Sequence, residues 1–323
     1  MAQLFSSPEW IAAWRRIYGP GFQLIALEHS RLHLYSVIPS LKIFNVKSMG
    51  PIGIQLPKSG VIRAEYNHYS GWLSLTSEAA NEIKQLSWQE LYLPDAVLTD
   101  AQLTLLKNTA DKFKATFRIV RQEPAYKIQT KGIEHYKKSL SYSTRRHYFS
   151  RKDKLIKTGD LSFSEVPLSH ITQVDAFFDQ LNKFAYLRWG KAALDNKDIK
   201  FIKCLDEILD EVGGRVILSQ MYYRKTCVSC IVDVSFGAGN QNIETYNLQL
   251  AYLEHNLAFG SLHLGHRIEE SLKRNRIYYL LAGRGKHSNY KQALATHQDI
   301  LTTCVYERGW LKRLSTIYAW LKR

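Results

Sequence analysis

Apolar residues recur along the chain with two periods, and the change from one to the other marks its elements. Near the start they fall three or four apart, at Trp10, Ile11, Trp14, Ile17 and Tyr18. Ser6 or Ser7 can cap this stretch, Pro8 suits its first turn and Gly19 closes it, so the pattern predicts a helix. Alternation follows in "FQLIALEHS" and "RLHLYSVIP", then a glycine- and proline-rich connection. "GWLSL" and "ELYLPD" read as further strands, with a helix over 101–113 ahead of "TFRIV". The helical period returns in a basic stretch over 144–157 that ends at Gly159, and "LSFSEV" is a strand. Ile171, Val174, Phe178, Leu181 and Ala185 make one helical stripe, and a second helix over 198–212 stops at Gly213 and Gly214. "RVILSQMYY", "CVSCIVDVSF" and "NIETYNLQL" are joined by the turn residues "RKT" and "GAGN", which predicts an antiparallel meander. A helix over 261–273, the strand "IYYLLAG", a short helix "SNYKQALA" and a last strand "ILTTCVYE" complete the order β-α-α-β-β-β-α-β-α-β.

The chain has 323 residues, a length that suits two domains, with 45% hydrophobic and 12% aromatic residues, as in globular proteins. The organisation changes near Lys127, which gives a first domain over 1–126, a second over 127–309 and a basic amphipathic tail over 310–323. No run of about 18 uncharged apolar residues predicts a membrane span, and "MAQLFSSPEW" has no signal-peptide pattern. Four cysteines are too few for a disulfide scaffold, so the expectation is a reduced, cytoplasmic protein without a structural metal. The formal net charge of +15 favours anionic partners: nucleic acid, an anionic membrane face or a phosphate-bearing cosubstrate.

One segment invites a nucleotide reading. In "LLAGRGKHSNYKQAL", Gly283, Gly285 and Lys286 follow an apolar strand, but Leu280 stands where a phosphate loop needs its first glycine. His287 stands where it needs Ser or Thr, and Ser288 replaces the third glycine of a dinucleotide fingerprint. Both spacings fail.

The element order of the second half is that of the GNAT acyltransferase fold. "FSSPEWIAAWRRIYG", "AEYNHYSGWL", "STRRHYFSRKDKLIKTG", "FFDQLNKFAYLRWGK" and "YYLLAGRGKHSNYKQAL" resemble, in that order, stretches of the long GNAT proteins of cellulose-biosynthesis type, relatives of the Fem-type aminoacyl transferases. The resemblance implies an α+β protein with two GNAT-like halves, each a mixed, mostly antiparallel sheet flanked by helices. It implies acyl transfer from acyl-CoA to an amine or hydroxyl, with aminoacyl-tRNA as the alternative donor and a non-catalytic binding module as the alternative to both. A splayed strand pair would hold the donor, and the next helix would receive its diphosphate on free N–H groups. Phe259, Gly260, Ser261, Leu262 and His263 are the candidates there, although "EHNLAFGS" departs from the usual glycine-rich pyrophosphate pattern. Arg145 and Arg146 are further candidate donor contacts. Glu65, with Glu244 or His255, is a candidate base, and Tyr246 or Tyr290 a candidate proton donor to the leaving thiolate. Asn67, Arg188, Trp189 and Lys291 are candidate acceptor-side residues.

Three features have two readings. The basic stretch carries Arg145, Arg146, Arg151, Lys152, Lys154 and Lys157 among His147, Tyr148 and Phe149, a mixture that suits RNA such as tRNA or a solvated connecting helix. Cys227 and Cys230 form a CxxC on a strand, where alternation puts them on opposite faces, as structural cysteines. The tail has an apolar stripe from Trp310 to Leu321 beside Lys and Arg, fit to lie on an anionic membrane surface or to pack on the domain.

Overall fold

The computed structural model describes residues 4–28, 33–37, 47–53, 64, 65, 67, 75–237, 243–282 and 286–309. The "GWLS" of 71–74, Gly283, Gly285 and the tail from Trp310 lie outside them. Contacts divide the chain into two compact units. One runs to Glu123 and takes up the chain again at Asp299; the other is Pro124–Gln298.

The N-terminal unit begins with α1 (Pro8–Ile17), where the Ser7 hydroxyl accepts from Trp10 N–H at 3.1 Å. Strands β1 (Gln23–Ala26), β2 (His33–Val37) and β3 (Ser48–Pro51) follow, then α2 (Ser77–Gln85), β4 (Glu90–Val97) and α3 (Asp100–Phe113). The pattern above missed α2, a short helix whose buried stripe is only Ala79, Ala80 and Ile83. A reciprocal Thr99–Gln102 capping box starts α3, and Lys114 ends it in the left-handed region. Strand β5 (Thr116–Ile128) gives its first part to this unit and its second to the next. Adjacent strands from β1 to β3 pair antiparallel, whereas β3 and β4 pair parallel. Trp88, Leu91, Leu93, Phe113 and Tyr306 fill the core under α2 and α3.

The C-terminal unit contains α4 (Ile133–Ser139), α5 (Tyr142–Arg145), a π-helical turn (Arg146–Ser150) and α6 (Arg151–Lys157). The basic stretch is thus a helix with a wider turn in its middle, which brings Tyr148 and Phe149 inward. Strand β6 (Leu161–Val166), α7 (Ile171–Trp189) and α8 (Asn196–Asp210) precede the meander of β7 (Arg215–Tyr223), β8 (Thr226–Phe236) and β9 (Glu244–Tyr252). Next come α9 (Phe259–Lys273), β10 (Ile277–Ala282) and α10 (Lys286–Leu294), after which β11 (His297–Glu307) takes the chain back into the N-terminal unit from Asp299. Within the unit the strand order is β6-β7-β8-β9-β10-β5, antiparallel except at β9–β10. The element order read from the sequence is observed in full. The last strand, however, pairs from Leu301 to Glu307 with β4 of the N-terminal unit. Alternation identifies a strand without naming its partner.

The α+β architecture that the resemblance implied is therefore present: mixed, mostly antiparallel sheets flanked by helices.

Candidate functional site

The parallel contact between β9 and β10 is short. Ile277, Tyr278 and Tyr279 pair with Glu244, Thr245 and Tyr246, and among the described residues no pairing continues beyond them. Strand β9 runs on to Tyr252 and β10 to Ala282, so the two strands part towards their C-terminal ends. Past Tyr246 no described strand pairs with this edge of β9, which in a sheet interior is an invitation to a ligand with amides of its own. A bulge helps β10 turn away: its register to β5 shifts between Tyr279 and Leu281, and Leu281 has φ 60°. Lys291 Nζ donates to the carbonyls of Leu280 at 2.5 Å and Ala282 at 2.7 Å. The lysine holds both flanks of the bulge.

Helix α9 begins at the open end of this gap. Its N-cap is Ala258, left-handed at φ 57°, and no side chain caps it. The N–H groups of Ser261 and Leu262 turn back to the Ala258 carbonyl, leaving those of Phe259 and Gly260 without an intrahelical acceptor. The helix is fixed on its buried side. His263 is fully buried, with Nε2 3.0 Å from Ser219 Oγ and Nδ1 2.9 Å from Ser229 Oγ. Burial, then the charges of His266 and Arg267, holds its pKa well below the usual range, so the ring is neutral. Arg267 Nε donates to Asp233 at 2.9 Å, and Glu269 accepts from Lys137 at 2.9 Å and from Lys152. Gly265 is required because a Cβ there would come within 2.1 Å of the Tyr148 carbonyl.

Side chains from five elements gather at the first turn of α9. The Tyr252 ring, from the end of β9, lies so close to Gly260 that a Cβ would meet it at 2.2 Å. Arg188, from the end of α7, stacks its guanidinium 4.3 Å from the centre of that ring. The same guanidinium lies 5.2 Å from the Trp189 ring and 3.5 Å from the exposed Glu254 carboxylate. Tyr148, from the π-helical turn, brings its phenol near Ser261. Tyr290, from α10, has its phenol pushed well above the usual range by burial first, with Tyr148 and Tyr252 adding to it. Burial likewise raises Tyr148 and Tyr252. The group is thus one half-buried cation, three protonated phenols, a hydroxyl and two backbone N–H groups with no acceptor among the described residues. Such a set binds negative charge and donates protons.

Several residues named from the sequence therefore meet here: Arg188, Trp189, Phe259, Gly260, Ser261, Leu262 and Tyr290, with Lys291 behind them. Leu262 is buried beneath the turn beside Phe259, and the His263 side chain points to the serines of β7 and β8. Tyr246 lies at the closed end of the gap, stacked on Tyr279 at 4.6 Å and donating to Glu244. Arg145 is half-buried and Arg146 exposed; Arg151 reaches the Leu257 carbonyl at 3.5 Å. Two residues of the group were not singled out as site residues. Tyr252 is one tyrosine among many on strands, and its only signal is its place just before the "AFGS" turn. Tyr148 faces inward because of the π-helical turn, which the pattern does not announce.

Glu65 and Asn67 belong to the N-terminal unit, where both are buried. There β3 and β4 also pair parallel for only two residue pairs, Ser48 with Glu90 and Met49 with Leu91. Strand β4 also carries a bulge at its far end, with Asp95 at φ 57°. The two units repeat the same device. In the N-terminal one, however, the edge of β4 that β3 leaves is taken by the chain itself. Asn67 bridges Ala96, its N–H donates to Asp95 O at 3.0 Å, and its Nδ2 donates to Pro94 O at 2.9 Å.

No family model matches this chain, and no curated protein matches it. Solved structures do. FemX aligns with a TM-score of 0.55 at 10% identity over 93% of this chain and 92% of its own. The DUF2156 C-terminal domain of a putative lysylphosphatidylglycerol synthetase from Agrobacterium fabrum aligns at 0.55 and 8% identity, over 96% and 90%. A conserved protein of unknown function from Bacteroides thetaiotaomicron aligns at 0.52 and 10% identity, over 93% and 90%. The likeness spans nearly the whole of each chain and is one of fold.

Proposed function

We propose that this chain transfers an acyl group from acyl-CoA to an amine or hydroxyl acceptor, by direct attack within its C-terminal unit. The observation that carries the reading is the parting of β9 from β10 where α9 begins. Backbone amides on the open edge of β9 would hold the donor's amide-bearing arm in place of a strand. The N–H groups of Phe259 and Gly260, with the helix dipole behind them and Arg188 beside them, would hold its diphosphate. The phenol of Tyr290 keeps its proton at neutral pH, so it can donate to a leaving thiolate. The rigid attachment of α9 keeps these donors in place, which is how a site stabilises developing negative charge without reorganising.

A second reading has its own observation. The Tyr252 ring crowds the first turn of α9, where a diphosphate would sit, and a donor without one, an aminoacyl-tRNA, avoids that crowding. The likeness to a domain named for lysylphosphatidylglycerol, an aminoacyl ester, points the same way. Thermal melting separates the two. Acetyl-CoA at about 100 times its dissociation constant should stabilise the fold by roughly 2.7 kcal/mol. Stabilisation by bulk tRNA alone, lost as salt rises, would replace the acyl-CoA reading with the aminoacyl one.

A further inference from the structure

Strict alternation would place Cys227 and Cys230 on opposite faces of β8, and the structure corrects this. Met221 pairs with Ser229 and Tyr222 with Cys227, so Val228 is an extra residue in β8. Such a bulge shifts the alternation by one position. It brings the two thiols to one side, with their Sγ atoms 4.0 Å apart. Cys227 is half-buried and Cys230 fully buried. Gln220 Nε2 donates to Cys227 Sγ at 3.8 Å. The Cys230 thiol lowers the pKa of Cys227 by hydrogen bonding, against the effect of burial, while Cys230 itself is held protonated.

We propose that Cys227 and Cys230 form a chelating site for a soft, thiol-seeking ion. Two thiolates on one tetrahedral centre with bonds of about 2.3 Å stand roughly 3.8 Å apart, so the observed separation needs a change of only a few tenths of an ångström. The donors are sulfur alone: among the described residues no group of three His, Cys, Asp or Glu side chains could hold a metal ion. A two-sulfur site with no third ligand selects soft, low-coordinate centres such as Cu(I) or trivalent arsenic over zinc, calcium or magnesium. Cys227, at the surface, gives the way in; Cys230 closes the chelate from below.

The bulge residue between the thiols ties the site to its neighbours. The Val228 carbonyl accepts from Leu253 N–H at 2.9 Å, and its side chain packs with Phe259 and Leu262. An ion bridging the thiols clamps Val228, so loading should slow amide exchange at Leu253.

The test uses phenylarsine oxide on the full chain in excess monothiol. Its oxygen leaves as water with the two thiol protons, and arsenic forms two As–S bonds with no change in oxidation state. Native mass spectrometry should find one arsenical per chain, released by 2,3-dimercaptopropanol, with Leu253 exchange slowed. Cys227→Ser, at the half-buried position, should retain none, whereas Cys204→Ser and Cys304→Ser should retain it like the parent. No retained arsenical on the parent chain, or equal retention by Cys227→Ser, overturns the proposal. If Cys230→Ser fails to fold, the Cys227→Ser comparison still decides.

Discussion

At the residue scale, the first turn of α9 depends on a few close contacts, and each makes a prediction. Gly265 and Gly260 both exclude a Cβ, but for different reasons. At Gly265 the obstacle is the Tyr148 carbonyl, part of the backbone; at Gly260 it is the Tyr252 ring, which can rotate. Gly265→Ala should therefore cost about 3 kcal/mol or more in urea unfolding, and Gly260→Ala only about 1–2 kcal/mol. Gly260→Ala should nevertheless weaken donor binding, because the displaced ring carries Arg188 with it. Equal costs for the two variants would mean that the π-helical turn yields as easily as a side chain. Arg188→Ala removes the stacked cation and should weaken donor binding about tenfold while leaving stability nearly unchanged, since its partners are half-buried or exposed. Calorimetric titration with the donor checks the first expectation and a melt the second.

Ionisable groups on α9 set a pH dependence whose sign is fixed. Burial opposes ionisation of Glu269, but hydrogen bonds from Lys152 and Lys137 draw its pKa from 4.5 to about 2. A carboxyl lowered on folding stabilises above its unfolded pKa and loses that contribution as pH falls, here between about 4.5 and 2. The contribution is about 3 kcal/mol, and Glu269→Gln should flatten urea stability over that window. His263 and His266 are both lowered, His266 to about 3 by burial and then by Arg267 and Lys152. Unfolding lets them take up protons, so stability should already begin to fall as pH drops through about 6.5. Unchanged stability from pH 7 to 5 would mean that both His263 and His266 are charged in the folded chain.

At the scale of elements, the sequence disclosed kinds and order more fully than partners. The helix stripes of α7 and the alternation of β7 to β9 are properties of consecutive residues, so a pattern reads them. The π-helical turn, the Val228 bulge and the bulge near Leu281 are imposed by packing from elsewhere, and none was legible. The candidate site divides in the same way. Arg188, Gly260 and Ser261 are recognisable from their places at element ends and Tyr290 from the family resemblance, whereas Tyr252 and Tyr148 join them only through folding. Lys291 illustrates an element-scale role: it secures two carbonyls around a bulge rather than reaching outward. Lys291→Met should leave both carbonyls without that donor, costing about 1–3 kcal/mol. If the bulge sets the gap, donor affinity should fall with it; a variant of full affinity would detach the two.

At the scale of the molecule, two units repeat a parallel strand pair that parts, and they differ in what occupies the gap. In the N-terminal unit Asn67 fills it with two hydrogen bonds to β4. In the C-terminal unit the corresponding edge of β9 has no described strand beside it past Tyr246. The basic composition fits an anionic donor, and no described helix is long and apolar enough to cross a membrane. The expected stoichiometry is one donor per chain. Hydrogen exchange with and without saturating acetyl-CoA tests this most directly. Protection should rise over 247–252, 259–262 and 280–282 and stay unchanged at 64–67 and 90–97. Protection confined to the N-terminal unit, or absent from the C-terminal gap, would contradict the assignment of the donor to β9, β10 and α9.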